Sequence, residues 1–147
     1  MDSKYAYIHF IEGIGSTDQT KDGKLVQLNY PIQEGETNLV SIQEYKMFEK
    51  DFPDRIKGDI IKQDNLMNVL NLIWAQLKKE IESLSEIDDY TKSKFNNIKN
   101  GFEIDGLLKP DHQTDSSIND LANKIFILQE QVRAIQRKNM SKTSFHR

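Results

Sequence analysis

No cysteine occurs anywhere in the 147 residues. That excludes a disulfide, a Cys-ligated zinc site and a thiol nucleophile. An excess of one charge is missing too. Twenty Lys and Arg stand against 23 Asp and Glu, for a formal net charge of -3. The chain therefore lacks the overall basic character that meets nucleic acid, and nucleic acid is not an expected partner. No apolar run approaches the ~18 residues of a membrane span, and Met1-Asp-Ser-Lys-Tyr5 has no apolar signal core. The expectation is a soluble, untargeted chain, cytoplasmic where it is made, with no membrane partner. Without a secretory route, the sequon Asn139-Met140-Ser141 carries little weight. Apolar residues are scarce, at 37%, and the mean hydropathy is -0.67. A chain poor in core residues but regular in their spacing is expected to bury apolar surface between subunits.

The most regular stretch is near the C-terminus. Ile118, Leu121, Ile125, Leu128, Val132 and Ile135 follow a three-four spacing, filling every a and d position over 118–135. So narrow a stripe predicts a seam for another helix, and these six residues are the candidate oligomer interface. Ile at two a positions with Leu at two d positions favours a parallel dimer. Val132 and Ile135, with Ala122, Gln129 and Gln136 flanking the seam, leave a trimer open. Phe126 and Ile127 lie off the seam and widen the apolar arc, which suggests that a third surface packs there and points toward a trimer or toward folding back on the long helix.

Ahead of this helix the chain reads as mainly α with a small N-terminal β element. Residues 4–11 are aromatic and β-branched, which suits a strand. Tyr5, Tyr7, His9 and Ile11 share one side and Ala6, Ile8 and Phe10 the other, so the strand is central in a fold or covered by a partner. Asp22-Gly23 marks a turn, and Leu25–Tyr30, stopped by Pro31, predicts the second strand of a hairpin. Residues 1–40 thus form a β-hairpin head, expected to dock on other structural proteins. In 41–63, Ser41 and Glu44 have capping-box spacing. Ile42, Tyr45, Phe48 and Phe52 recur at helical intervals, Pro53 ends the helix, and 54–63 is a connector.

Asp64 is the expected N-cap of a long amphipathic helix over 64–105. Leu66, Leu70, Ile73, Leu77, Ile81, Leu84, Ile87, Phe95, Ile98 and Phe102 keep one face, and neither Pro nor Gly intervenes before Gly101. One helix is favoured over a break near Ser85–Asp89. Trp74 beside that face reads as packing. Residues 106–117, with Gly106 and Pro110, form a linker; Ser117 or Asp115 caps a coiled-coil helix over 118–139, and 140–147 is a tail.

Chemistry finds little purchase. Gly13-Ile14-Gly15-Ser16-Thr17 lacks both the Lys and the glycine spacing of a phosphate loop. Asp111, His112 and Asp115 gather metal-ligating types on a loop, without the spacing of known sites, so no metal or other cofactor is expected. Glu80, Glu82, Glu86, Asp88 and Asp89 read as a solvated helix face. Lys124, Arg133, Arg137, Lys138, Lys142 and Arg147 complement a helix C-terminus and leave an acidic partner open. The expected function is a non-enzymatic structural or adaptor subunit of a large oligomeric assembly, such as a virion, phage tail, fibre or baseplate component. The alternative is a cytosolic helical regulator or chaperone that binds a helical or acidic partner.

Overall fold

The computed structural model describes residues 2–28 and 31–145, with 139–145 described by backbone alone. The end of the expected strand over 25–30 and the residues His146 and Arg147 lie outside the described residues. The chain divides into two compact units, Met1–Lys62 and Gln63–Arg147. Among the described residues, four α-helices and seven short strands in three small sheets make it mixed α/β, which corrects the mainly α expectation.

In the first unit, β1 (Asp2–Phe10) is the middle strand of three, flanked antiparallel by β4 (Thr37–Ser41) and β5 (Ile56–Lys62). A strand apolar on both faces needs cover on both, and the centre of a sheet under a helix supplies part of it. The expected hairpin partner is elsewhere. Leu25–Gln27 (β3) pairs with Thr17–Gln19 (β2) in a separate ribbon, turned at Gly23 with φ 83. Leu25 is 64% exposed there, so this ribbon brings little to the core. The connector expected over 54–63 is mostly β5. Its sequence, Ile-Lys-Gly-Asp-Ile-Ile-Lys, carries charge and glycine that hide its strand character.

Helix α1 (Ile42–Asp51) starts at Ser41, whose side chain accepts the Glu44 amide at 3.1 Å. The helix carries the chain from β4 to β5 across β1. Tyr45, Phe48 and Phe52 pack on Ala6, Ile8, Phe10, Val40 and Ile56. Phe10 and Phe48 meet edge to face at 5.5 Å. Gly58 makes this closeness feasible, because a Cβ there would sit 2.3 Å from the Tyr7 carbonyl oxygen and 3.3 Å from the Tyr45 ring.

The second unit contains α2 (Leu66–Ser83), α3 (Asp89–Phe102) and α4 (Asp115–Phe145). The favoured single helix over 64–105 is interrupted at 84–88. Asp88 causes the restart: its backbone is extended and its side chain accepts the Thr91 amide at 2.7 Å, a strong N-cap. Asp64 does not cap α2. It lies in a short 3-10 turn, Gln63–Asn65, that leads into the helix. Thr114, rather than Ser117 or Asp115, opens α4 by accepting the Ser117 amide at 3.1 Å. Between α3 and α4, β6 (Glu103–Ile104) and β7 (Leu107–Leu108) form a tight hairpin. Asp105 and Gly106 turn it with φ 54 and φ 82, as a two-residue turn requires.

Contacts fix the helix directions. Lys124 of α4 covers the Phe102 ring at the end of α3, and Lys138 acts electrostatically on Asp88 at its start. Hence α3 runs against α4. Trp74 of α2 bonds Glu103, and Glu80, further along α2, pairs with Arg133. Hence α2 also runs against α3. The unit is an up-down-up bundle, with α4 packed on both other helices.

Candidate interaction site

The six heptad residues sit on the inner side of that bundle. Leu121, Ile125, Leu128 and Val132 are 0% exposed within the single chain, while Ile118 and Ile135, at the two ends, are half-buried. The seam assigned to another chain is filled by this chain's own helices. Heptad spacing marks an apolar face, and it does not distinguish a helix of another chain from a helix of the same chain. Ala122 and Gln129, beside the d positions, and Arg133 are buried as well. They widen the stripe to the arc that a helix needs when it faces two neighbours.

Arg133 corrects a second expectation. Counted with the C-terminal cations open to an acidic partner, it is 1% exposed and pairs with Glu80, with Gln136 Oε1 3.1 Å away. Glu80 belongs to the run expected to be solvated, yet its side chain is only 17% exposed. A guanidinium buried to that degree requires such a carboxylate. Arg137 and Lys138 are exposed, and the side chains of Lys142 and Arg147 fall outside the described residues.

A polar network braces the β6–β7 hairpin on α2. Trp74 is fully buried, stacks on Phe95 at 5.2 Å and donates its indole N–H to Glu103 Oε2 at 2.5 Å. Lys78 pairs with the same oxygen at 3.2 Å and donates to the Gly106 carbonyl at 3.3 Å. Burial pushes the Glu103 carboxyl up, but the Trp74 and Lys78 hydrogen bonds outweigh it and hold it below its ordinary value. Asn71 Oδ1 accepts the Leu108 amide at 2.7 Å. Glu103 and Leu108 face α2, so their neighbours Ile104 and Leu107 point away. Each of these two is 53% exposed. Sequence reasoning missed this hairpin, although Asp105-Gly106 repeats the turn signal recognised at Asp22-Gly23.

In the first unit a cleft of about 270 Å³ opens between α1 and β5, lined by Tyr45, Glu49, Pro53, Ile56, Lys57 and Gly58. The Tyr45 hydroxyl donates to Glu49 Oε2 at 2.7 Å and lies 3.3 Å from the Gly58 carbonyl. The Glu49 hydrogen bond, helped by burial, pushes this phenol up to about 12. At neutral pH it is a donor and not a base. On the ribbon, Arg55 binds Asp18 at 2.8 Å, and this bond, with the Gly15 and Gln19 amides, holds the Asp18 carboxyl below its ordinary range.

Among the described residues, Asp111, His112 and Asp115 join no group of three side chains placed to hold a metal. No described helix is long and apolar enough to cross a membrane. No protein-family model, curated protein or solved structure matches the chain.

Proposed function

We propose that this chain is a non-enzymatic adaptor that holds another protein within a larger assembly, and that the β6–β7 hairpin is its grip. One observation carries this: two aliphatic side chains, Ile104 and Leu107, stand side by side in solvent on a braced turn. Scattered exposed aliphatics are common on any surface. Here the turn beneath the pair is fixed by Trp74, Lys78, Glu103 and Asn71. A grip that is already ordered loses less entropy on binding. The break at 84–88 and the packing of α4 on α2 and α3 make this unit a bundle, so the proposed adaptor role is tied to no fibre or tail.

A photo-reactive residue at position 104 or 107, in cells that make the protein, tests the proposal. A discrete heavier adduct is expected from both positions and not from exposed Asn100 on α3. The pair Ile104→Ser with Leu107→Ser should remove the partner from the purified complex while Trp74 emission stays native. Adducts that appear equally at Asn100, or none at the hairpin, would sink the proposal.

A further inference from the structure

Among the described residues, the order β4-β1-β5 leaves β5 with one neighbour, β1. The ladder fixes which of its backbone groups point outward. The Phe10 amide bonds the Glu36 carbonyl on the β4 side, and the Ile11 amide bonds the Arg55 carbonyl on the β5 side. Alternation then turns Tyr7 and His9 toward β5, where they face Asp59 and Lys57. Ile56, Gly58 and Ile60 therefore direct their N–H and C=O groups away from the sheet. Two contacts agree: the Gly58 carbonyl is 3.3 Å from the Tyr45 hydroxyl, and the Ile60 amide donates to Asp59 Oδ1 at 2.8 Å.

The sequence along this edge, Ile56-Lys57-Gly58-Asp59-Ile60, is self-complementary about Gly58. Laid antiparallel on a second copy with glycine opposite glycine, it sets Lys57 against Asp59 and Asp59 against Lys57. It also sets Ile56 against Ile60. The parity agrees, because 56, 58 and 60 are the residues whose backbone groups face out. Lys57 and Asp59 fall at the pairs with the closer side chains, where opposite charges attract most. The alternative register centred on Ile56 sets Lys57 against Arg55, and the one centred on Ile60 sets Asp59 against Ile61.

We propose that two copies of this chain associate through β5, joining their three-stranded sheets into one of six strands about a two-fold axis at Gly58. The interface is isologous, so each attractive pair occurs twice. Lys57 and Asp59 are exposed in the single chain. Ile60 of the second copy lies opposite Ile56, which lines the cleft beside α1. Gly58 offers no side chain to obstruct the crossing of the two strands. In the single chain Asp59 covers the Ile60 amide, and turning toward Lys57 of the other copy frees that amide for the new ladder. This surface lies in the first unit and does not depend on the hairpin grip.

Sedimentation equilibrium on the full chain, from about 1 µM to about 1 mM, spans the affinities expected of a short strand pair. The wild type is expected to pass from monomer to dimer with concentration. Asp59→Lys alone, or Lys57→Asp alone, sets like charges at both pairs and should weaken the dimer at least about ten-fold. An equimolar mixture of the two variants restores attraction at every pair and should form a heterodimer as tight as the wild type. Circular dichroism confirms that each variant is folded, and the mixture reports on charge pairing even where one variant is less stable. A wild type that stays monomeric throughout overturns the proposal. So does a dimer that neither substitution weakens, or a mixture no tighter than its components.

Discussion

At the scale of single residues, Gly58 and Arg133 are both hard to replace. A Cβ at Gly58 runs into backbone, which cannot swing aside as a side chain end can. Gly58→Ala is expected to cost about 2 kcal/mol, the range of overpacked cores, read as a lower denaturant midpoint. Glu80→Gln would take the charge from the carboxylate paired with the buried Arg133 and should cost about 3 kcal/mol. Replacing both partners by Met should cost far less, because the desolvated charge goes too. Glu103 gives a pH dependence. Its folded pKa lies below the ordinary 4.5, so its contribution is complete above that value and fades as pH falls through the folded one. Acid titration of Trp74 emission should therefore show a loss that Glu103→Gln flattens. Tyr45 has the opposite sense. Its phenol is raised from 10.0 to about 12, so its contribution is intact below 10.0 and lost as pH rises toward 12, which phenolate absorbance follows.

At the scale of elements, the sequence was legible where one pattern spoke for one neighbour. Ser41 with Glu44 marked the start of α1, and the apolar residues on both faces of 4–11 marked a strand that is central in its sheet. The two strands beside β1 were not legible. Thr37–Ser41 is short, and Ile56–Lys62 mixes glycine and charge because it lies at an edge. The break between α2 and α3 was hidden for a different reason. Leu84 and Ile87 keep the helical phase across it, so periodicity continues where the hydrogen bonding does not. The signal was Asp88, a capping residue read as part of a charged face. Asp88→Ala should lower the thermal midpoint of the helical unit, and Asp88→Asn, which retains a cap, should spare it. Of the candidate site, the apolar face of α4 was legible in the heptads, while the β6–β7 hairpin was overlooked at Asp105-Gly106.

At the scale of the whole molecule, the scarcity of apolar residues does not force the core between chains. It is met by two small cores, one under α1 and one inside the three-helix bundle. Units of this size are stable by narrow margins, since a domain of about 60 residues buries only ~60% of its unfolded surface. Ile125→Asp should unfold the bundle. A charge placed at a fully buried site costs several kcal/mol, and loss of both helical circular dichroism and native Trp74 emission would register it. Phe48→Ala should cost about 3 to 4 kcal/mol in the sheet unit, seen as faster amide exchange along β1.

The chain has one tryptophan, and it lies under the hairpin with a carboxylate and an ammonium close to its ring. Indole fluorescence responds to nearby charge. The molecule thus carries its own dye beneath the surface proposed to hold a partner, and titrating candidate proteins into the unlabelled wild type would reveal a capture by a change of colour alone.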